Sequence, residues 1–109
     1  MPDLVLLGAD APQDRLPSPH DAHLVIEVAG WSVRLDRHFK RPLYARAGIP
    51  EYWIVDLNGG RIEVYRELSP DGYRPIRYVM RGESVTPAFA PEMAISVDGI
   101  LGPIPEAED

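Results

Sequence analysis

The sequence predicts an α/β domain with a mixed β-sheet, one crossover helix and an antiparallel C-terminal meander. Two apolar strand-like segments, residues 23–28 and 52–56, flank a helix-like segment, and this order predicts parallel strands joined by a right-handed crossover. Alternating polar and apolar residues after position 60 predict antiparallel pairing in the second half. At 109 residues, the chain is long enough for one such domain with a single core.

The first two strands are predicted from apolar runs. Residues 3–7 are expected to form a short strand, in which Asp3 is followed by four apolar residues, whereas residues 10–21 contain three prolines and are expected to form a loop. Residues 23–28 are almost entirely apolar and rich in β-branched side chains, as in a strand covered on both faces. The loop allows these two strands to pair antiparallel. Glu27 is the one charged residue between positions 24 and 28.

The crossover helix is predicted over residues 35–47. Charged and apolar side chains recur there at helical spacing, and Gly48 suits the left-handed residue that ends a helix. Pro42 lies inside the segment and removes one main-chain hydrogen bond. We therefore expect the first helical turn to be kinked or separate from the rest.

Turns and short strands are predicted in the second half. Asn58-Gly59 predicts a two-residue hairpin turn, and Asp71-Gly72 predicts the next turn of the meander. Residues 83–97 are expected to add short edge strands around two prolines. Residues 103–109 are expected to form a mobile acidic tail.

Composition and charge narrow the function classes. The chain has no cysteine, which excludes disulfide and thiolate chemistry and agrees with a cytoplasmic location. No apolar run is long enough for a membrane span, so no membrane partner is expected. The net charge of −6 argues against broad nonspecific nucleic-acid binding. Residues 34–46 differ, because five basic residues against one acid give a local charge of +4.

A hydrolytic site can be assembled from residues near the first two strands. Antiparallel pairing would bring Asp3 close to Glu27, and two converging carboxylates are costly unless a cation or hydrogen bonds compensate them. Mg²⁺ prefers oxygen ligands, which Asp3, Glu27 and the main chain at Val28 could supply. Lys40 could then orient a water and stabilise charge on a phosphate. Alternatively, Glu27 pairs with Arg34 or Lys40 for structural reasons alone.

Several motifs resemble the Uma-two family of restriction-endonuclease-like proteins, in the PD-(D/E)XK superfamily. The similar residues are Ile26-Glu27-Val28, Asp36 with Lys40 four residues later, and Tyr44-Ala45-Arg46-Ala47-Gly48-Ile49-Pro50-Glu51-Tyr52-Trp53-Ile54-Val55-Asp56. The resemblance runs from Pro2-Asp3 through the meander and implies a restriction-endonuclease-like core. It also implies hydrolysis of phosphodiester bonds in DNA with Mg²⁺, or Mn²⁺ as the alternative metal.

The resemblance also implies roles for individual residues. Asp3 matches the acid of the PD motif and Glu27 matches the second acid. The usual lysine lies two residues after the second acid, where this chain has Ala29. In this family the lysine is moved to the helix, where Lys40 matches it. Asp36, four residues before Lys40, could hold that side chain in place.

The resemblance carries expectations for the whole chain. Family members have a helix and strands ahead of the PD motif, so residues 1–102 are expected to be a nuclease-like domain that lacks this N-terminal part. The implied partner is nucleic acid, DNA in particular, and a homodimer is a separate expectation that the resemblance does not decide. The alternative is a catalytically inactive nuclease-fold remnant that acts as a structural or dimerisation module. The net acidity favours the remnant, and the intact set of Asp3, Glu27 and Lys40 favours the enzyme.

Overall fold

The structure, a computed structural model, describes residues 4–7, 22–30, 34, 36–73 and 76–103. The larger of two sheets has five strands side by side in chain order: β1 (Leu4–Leu7), β2 (Ala22–Ala29), β3 (Tyr52–Asp56), β4 (Arg61–Tyr65) and β5 (Ile76–Met80). β1 is antiparallel to β2, β2 is parallel to β3, and β3, β4 and β5 form an antiparallel meander. The predicted α/β class and the predicted mixed sheet are confirmed.

The connection between β2 and β3 contains the predicted helix in two parts. A π-helical turn, π1 (Asp36–Lys40), is followed by an α-helix, α1 (Arg41–Arg46). Pro42 lies in the first turn of α1. Main-chain N–H groups in the first turn have no partner within the helix, so the proline costs no helical hydrogen bond. The separate first turn expected from this proline is therefore present, and it has π geometry. Gly48 follows α1 with a φ of 81°.

Both faces of the larger sheet are covered. On one face, side chains that include Trp53 and Ile62 pack against Val85 and Val97. These two valines belong to β6 (Ser84–Val85) and to α2 (Val97–Leu101), and β6 pairs with β7 (Ile95–Ser96) in the small second sheet. The short edge strands expected within residues 83–97 are thus present. On the other face, Tyr52 and its neighbours pack against the crossover helix.

The β3–β4 hairpin has a four-residue loop, so the predicted two-residue turn at Asn58-Gly59 is wrong. Asp56 pairs with Arg61, which leaves residues 57–60 in the loop. The reason is the Asp56 side chain, whose Oδ1 accepts a hydrogen bond from the Gly59 N–H at 2.8 Å. The Gly60 N–H donates to the Asp56 carbonyl, and Gly60 has a φ of 65°. A side-chain bond to the main chain therefore outweighs the local turn preference.

The turn predicted at Asp71-Gly72 is shifted by one residue. Ser69 and Gly72 pair and exchange two main-chain hydrogen bonds of 2.9 Å, so that Pro70 and Asp71 form the corner. The Ser69 hydroxyl also donates to the Gly72 carbonyl at 2.8 Å. This small hairpin lies within the connection between β4 and β5.

α2 follows the small sheet, and Ser96 caps its N-terminus by accepting a hydrogen bond from the Gly99 N–H at 3.2 Å. Gly102 ends the helix, and the predicted tail after Pro103 lies outside the described residues. Across the parts of the chain that the structure describes, none of the helices has the length and apolar character needed to cross a membrane.

Candidate functional site

Two buried carboxylates face the crossover helix from the middle of the sheet. Glu27 on β2 and Glu63 on β4 both lie opposite Ile54 on β3, so the three side chains form a row on one face. Glu27 is 1% exposed and Glu63 is 0% exposed. A buried anion is costly unless it is paired and hydrogen-bonded, so each of these acids requires nearby donors.

Glu27 receives its donors from the crossover helix. The Lys40 Nζ lies 2.5 Å from Glu27 Oε2, and the Tyr44 hydroxyl donates to Glu27 Oε1 at 2.8 Å. Lys40 is the last residue of π1, and Tyr44 lies four residues further along, on α1. The Lys40 side chain is 30% exposed, so the ion pair reaches solvent on that side. The structure thus brings together two of the predicted catalytic residues, which are 13 positions apart in sequence.

Tyr44 is a site residue that the sequence analysis did not single out. Its ring packs edge-on against the buried ring of Tyr52, with centroids 5.0 Å apart. This contact fixes the direction of the phenol towards Glu27. The signal that could have identified Tyr44 is its position four residues after Lys40, because residues at this spacing are neighbours on a helix surface.

Glu63 is held by Arg37, a pair that the sequence analysis also missed. Arg37 Nε donates to Glu63 Oε1 at 3.0 Å, and Arg37 Nη2 donates to Glu63 Oε2 at 2.5 Å. The Tyr65 hydroxyl donates to Oε1 at 2.6 Å. Burial alone raises the pKa of Glu63, but the hydrogen bonds from Arg37 and Tyr65 outweigh burial and hold that pKa below its usual range. The sequence signal that could have identified Glu63 is its charge between two apolar residues, Ile62 and Val64, of a predicted strand.

The third fully buried glutamate, Glu51, is held at the end of the sheet where β3 begins. It accepts hydrogen bonds from the Trp53 indole, the Arg66 guanidinium and the Ala88 main chain, at 2.7, 2.6 and 2.8 Å. Glu63 likewise accepts three hydrogen bonds. From the described residues Glu27 accepts two, fewer than either of the other buried glutamates.

Two of the other predicted site residues are not placed by the structure. Asp3 lies outside the described residues, and so does the side chain of Asp36. Val28 is described: it pairs with Val55 on β3 and its side chain is about half exposed. Within the described ranges, no group of three His, Cys, Asp or Glu residues could hold a metal ion. Glu27 is thus the one predicted carboxylate ligand whose position is known.

Ala29 occupies the strand position where the resemblance places the usual lysine. Its side chain is buried in the apolar cluster that contains Val25 and Ile54. Asp56 lies beside it on β3, and the Ala29 carbonyl accepts a hydrogen bond from the Leu57 N–H at 2.9 Å. The alanine is therefore part of the packed core, and the ammonium group reaches Glu27 from the helix instead.

The basic residues of the helical region divide into two groups. Arg37 and Lys40 point to the sheet and pair with its carboxylates. Arg34 and Arg46 are exposed, and the Arg41 guanidinium lies over the Tyr65 ring at 5.7 Å. Of the five basic residues, Arg34 and Arg46 are therefore the exposed ones, and Arg41 is partly exposed.

Comparison with known proteins agrees with this arrangement. The Uma2 family, whose description reads "Putative restriction endonuclease", matches residues 1–98 of the 109. The matched range contains all five strands of the larger sheet, the crossover helix, and both Glu27 and Lys40. The match supports a nuclease role in general. None of the curated proteins compared with the chain matches it. Because the family match covers most of the sequence, the chain belongs to the Uma2 family.

Proposed function

We propose that the protein is a metal-dependent endonuclease that hydrolyses phosphodiester bonds in DNA. The observation that carries the proposal is the contact between buried Glu27 and Lys40, 2.5 Å apart, on the sheet face beneath the crossover helix. A carboxylate that can hold a cation and an amine that can stabilise an oxyanion are the two protein groups that metal-assisted phosphodiester hydrolysis requires. Membership of a family whose description reads "Putative restriction endonuclease" supports a nuclease role in general.

Glu27, Asp3 and the main-chain carbonyl of Val28 are the proposed ligands for Mg²⁺ or Mn²⁺. Oxygen donors of this kind suit both cations. A carboxylate has about four acceptor positions, and Glu27 uses two of them towards the described residues. The described part of β1 begins with Leu4, which lies opposite Ile26. Asp3 precedes Leu4 in sequence, so it is the nearest acid to that end of β1. When bound, the cation polarises the phosphodiester and lowers the pKa of a water.

Lys40 is proposed to orient the attacking water and to offset negative charge that develops on the phosphate. Its ammonium group lies beside the carboxylate proposed as a metal ligand, and the side chain is partly open to solvent. Donors that are held in place before the reaction stabilise developing charge more than mobile water does. Tyr44 holds the other oxygen of Glu27 and so fixes the orientation of the carboxylate.

The DNA backbone is proposed to contact the outer surface of the helical region. Arg34 and Arg46 are exposed there, and Arg41 lies between them in sequence. Arginine side chains bind phosphate through charge and paired donors, which compensates locally for the net charge of −6. Arg37 is less suited to this role because Glu63 already engages its guanidinium.

One observation favours the alternative, a catalytically inactive nuclease fold that serves as a structural or dimerisation module. Each oxygen of Glu27 already accepts a hydrogen bond, one from Lys40 and one from Tyr44. A buried acid paired in this way is electrostatically compensated without a metal ion. The two functions therefore differ in whether Glu27 binds a cation.

The test is plasmid nicking combined with calorimetric metal titration. The wild type is expected to bind Mg²⁺ and to nick supercoiled DNA only when Mg²⁺ or Mn²⁺ is added. Glu27→Gln keeps the shape of the side chain but removes the anion, so metal binding and cleavage should both be lost. Glu51→Gln is the matched control, because it neutralises another buried glutamate that lies away from the helix.

If the control variant is folded, it should bind metal and cleave DNA like the wild type. Metal-dependent cleavage that persists in Glu27→Gln would refute the assignment of Glu27. A wild type that neither binds Mg²⁺ nor cleaves DNA would support the inactive module.

A further inference from the structure

Among the described side chains, two residues of the π-helical turn contact the sheet. Arg37 in π1 contacts Glu63 on β4, and Lys40 at the end of π1 contacts Glu27 on β2. β3 runs between these two strands, with Ile54 between the acids. Neighbouring strands are about 4.8 Å apart, so the two attachment points are separated by roughly 10 Å across the sheet. Two contacts this far apart restrict rotation of the turn more than either contact alone.

The Arg37–Glu63 and Lys40–Glu27 contacts differ in what they constrain. A guanidinium that donates two parallel hydrogen bonds to one carboxylate is held in both position and orientation. An ammonium group is a point charge on a flexible stem, so the Lys40 contact constrains a distance and little else. Arg37 makes the two-point contact, through Nε and Nη2. The orientation of π1 is therefore set mainly at the Arg37 end.

Glu63 is a rigid anchor for this contact. It is 0% exposed and accepts a further hydrogen bond from the Tyr65 hydroxyl at 2.6 Å. The Tyr65 ring stacks on Tyr52, and both rings are fully buried. A side chain surrounded in this way has little freedom to change rotamer. Movement of Arg37 would therefore have to break the contact with Glu63.

The geometry of the turn makes such an anchor necessary. π-helical turns are rare and occur mostly as single turns, often at functional sites. Isolated chains favour α geometry, so contacts from outside the turn must select the π form. Arg37 and Lys40 supply such contacts from within π1 itself.

We infer that the Arg37–Glu63 pair positions Lys40, by orienting π1 so that the Lys40 ammonium group lies against Glu27. Arg37 and Glu63 are then positioning residues for the cleavage reaction and act on it through Lys40. The consequence for catalysis rests on the proposed function, whereas the effect on the Lys40 side chain does not.

The test variant is Arg37→Met/Glu63→Gln. Removing both charges together avoids an uncompensated buried ion, which makes loss of the fold less severe than in either single variant. The glutamine retains an acceptor for the Tyr65 hydroxyl. One positive and one negative charge are removed, so the net charge of the protein and its long-range attraction for DNA are unchanged.

The matched control is Arg66→Met/Glu51→Gln. Arg66 and Glu51 also form a buried arginine–glutamate ion pair, with side-chain exposures of 27% and 2%, against 29% and 0% for Arg37 and Glu63. Arg66 donates one hydrogen bond to Glu51, from Nε at 2.6 Å, and its Nη2 donates to the Thr86 carbonyl. The described partners of Glu51 lie in β3, next to β4 and after β6, away from π1. The control therefore removes an ion pair that is matched in charge and burial without touching the turn.

Two measurements separate positioning from general stability. The first is the NMR nuclear Overhauser contact between the Lys40 ε-CH₂ and the Glu27 γ-CH₂ protons, which reports the 2.5 Å contact between these side chains and needs no activity. The second is the single-turnover cleavage rate, determined alongside the Kd for DNA. In Arg37→Met/Glu63→Gln, the Lys40–Glu27 contact should be lost. The cleavage rate should fall by about 100-fold, the loss typical of a displaced catalytic group, while the Kd stays unchanged.

Each outcome decides the inference. The control pair should keep the NMR contact and the cleavage rate. An NMR contact that persists in Arg37→Met/Glu63→Gln would overturn the inference, whether or not the wild type cleaves DNA. Arg37→Lys keeps the charge but lacks the two-point contact, and it is expected to lose part of both signals. If the double variant does not fold, Arg37→Lys with wild-type NMR contact and rate would overturn the inference in its place.

Discussion

Glu27 differs from the other buried glutamates in the source of its donors. The two hydrogen bonds that its carboxylate accepts from described residues come from one helical segment, through Lys40 and Tyr44. Glu51, by contrast, is held by an indole, a guanidinium and a main-chain N–H from separate segments. A carboxylate that several segments hold links those segments and stabilises the core. The Glu27 carboxylate, in contrast, keeps its hydrogen-bond donors only while one helical segment stays in place. At the residue scale, the position of the groups around Glu27 therefore depends on the position of the helix.

Replacing Lys40 should separate metal binding from turnover. In Lys40→Ala the Glu27 carboxylate remains, so Mg²⁺ affinity should be retained or slightly raised by the loss of a nearby cation. The cleavage rate should fall by about 10²–10³-fold, as when one transition-state donor is removed. Calorimetric titration and single-turnover cleavage test the two effects. Loss of metal affinity in Lys40→Ala, at the level of Glu27→Gln, would contradict separate roles for the two residues.

Tyr44→Phe should reduce cleavage less than Lys40→Ala. The change removes the phenol donor to Glu27 Oε1 but keeps the ring that packs on Tyr52. Loss of one such hydrogen bond should lower the free energy of unfolding by about 1 kcal/mol. Tyr73→Phe is the matched control, because the Tyr73 hydroxyl donates to the Ile49 carbonyl at 2.6 Å, away from Glu27. Equal cleavage rates in the two variants would argue against a role for Tyr44.

At the scale of elements, strand runs and strand direction could be predicted from the sequence. The apolar run around Val25 and the run around Ile54 predicted central strands, and the helix between them predicted their parallel pairing; both are present. Pro42 likewise predicted a helix with a separate first turn. The π geometry of that turn could not be predicted, because it depends on contacts with strands that are distant in sequence.

Loops were predicted less well because side chains take part in them. The β3–β4 loop depends on the Asp56 carboxylate, which accepts a hydrogen bond from the Gly59 main chain. Turn preferences that consider only Asn58 and Gly59 omit this bond. The length of the loop therefore follows from a residue that the sequence analysis assigned to the strand.

Gly59→Ala should destabilise the β3–β4 hairpin. A Cβ atom at this position would lie 2.2 Å from Asp56 Oδ2, so the carboxylate would have to move and lose its bond to the Gly59 N–H. The free energy of unfolding should fall by about 1–3 kcal/mol. Urea denaturation of Gly59→Ala, with and without Asp56→Ala, provides the measurement. The substitution should cost less once Asp56 is removed, and equal costs would show that the clash is not responsible.

At the scale of the whole molecule, the candidate site could be predicted only in part. The motif resemblance identified Glu27 and Lys40, and the structure brings these two into contact. Arg37 and Glu63 were not predicted as a pair, because their contact requires the helical turn to extend across β3 to β4. Asp3 stays a prediction. Side-chain contacts that reach across several strands form only in the assembled sheet, so no local sequence pattern predicts them.

The pH dependence of stability should reflect Glu63. Its pKa in the folded protein lies below the unfolded value of 4.5, so the stabilisation is fully present above that pH and is lost as the pH falls further. Urea midpoints measured from about pH 6 to about pH 3 should therefore decline more steeply for the wild type than for Arg37→Met/Glu63→Gln. Asp98→Asn is a control, because the pKa of exposed Asp98 is also lowered, by the Gly82 N–H and by Arg81. Solvent screening should make the effect of the Asp98 interactions on stability smaller, and an equal effect would contradict a stronger interaction of Glu63 with Arg37 and Tyr65.

The packing of Ala29 limits which substitutions this position can accept. A lysine at position 29 would have to place its stem among buried side chains beside Asp56, in space that the core fills. An ammonium group on the strand would therefore require compensating substitutions in the core. The same feature affects how relatives are recognised. A linear pattern that demands a lysine two residues after the acid rejects this chain, although an ammonium group contacts the same carboxylate from the helix.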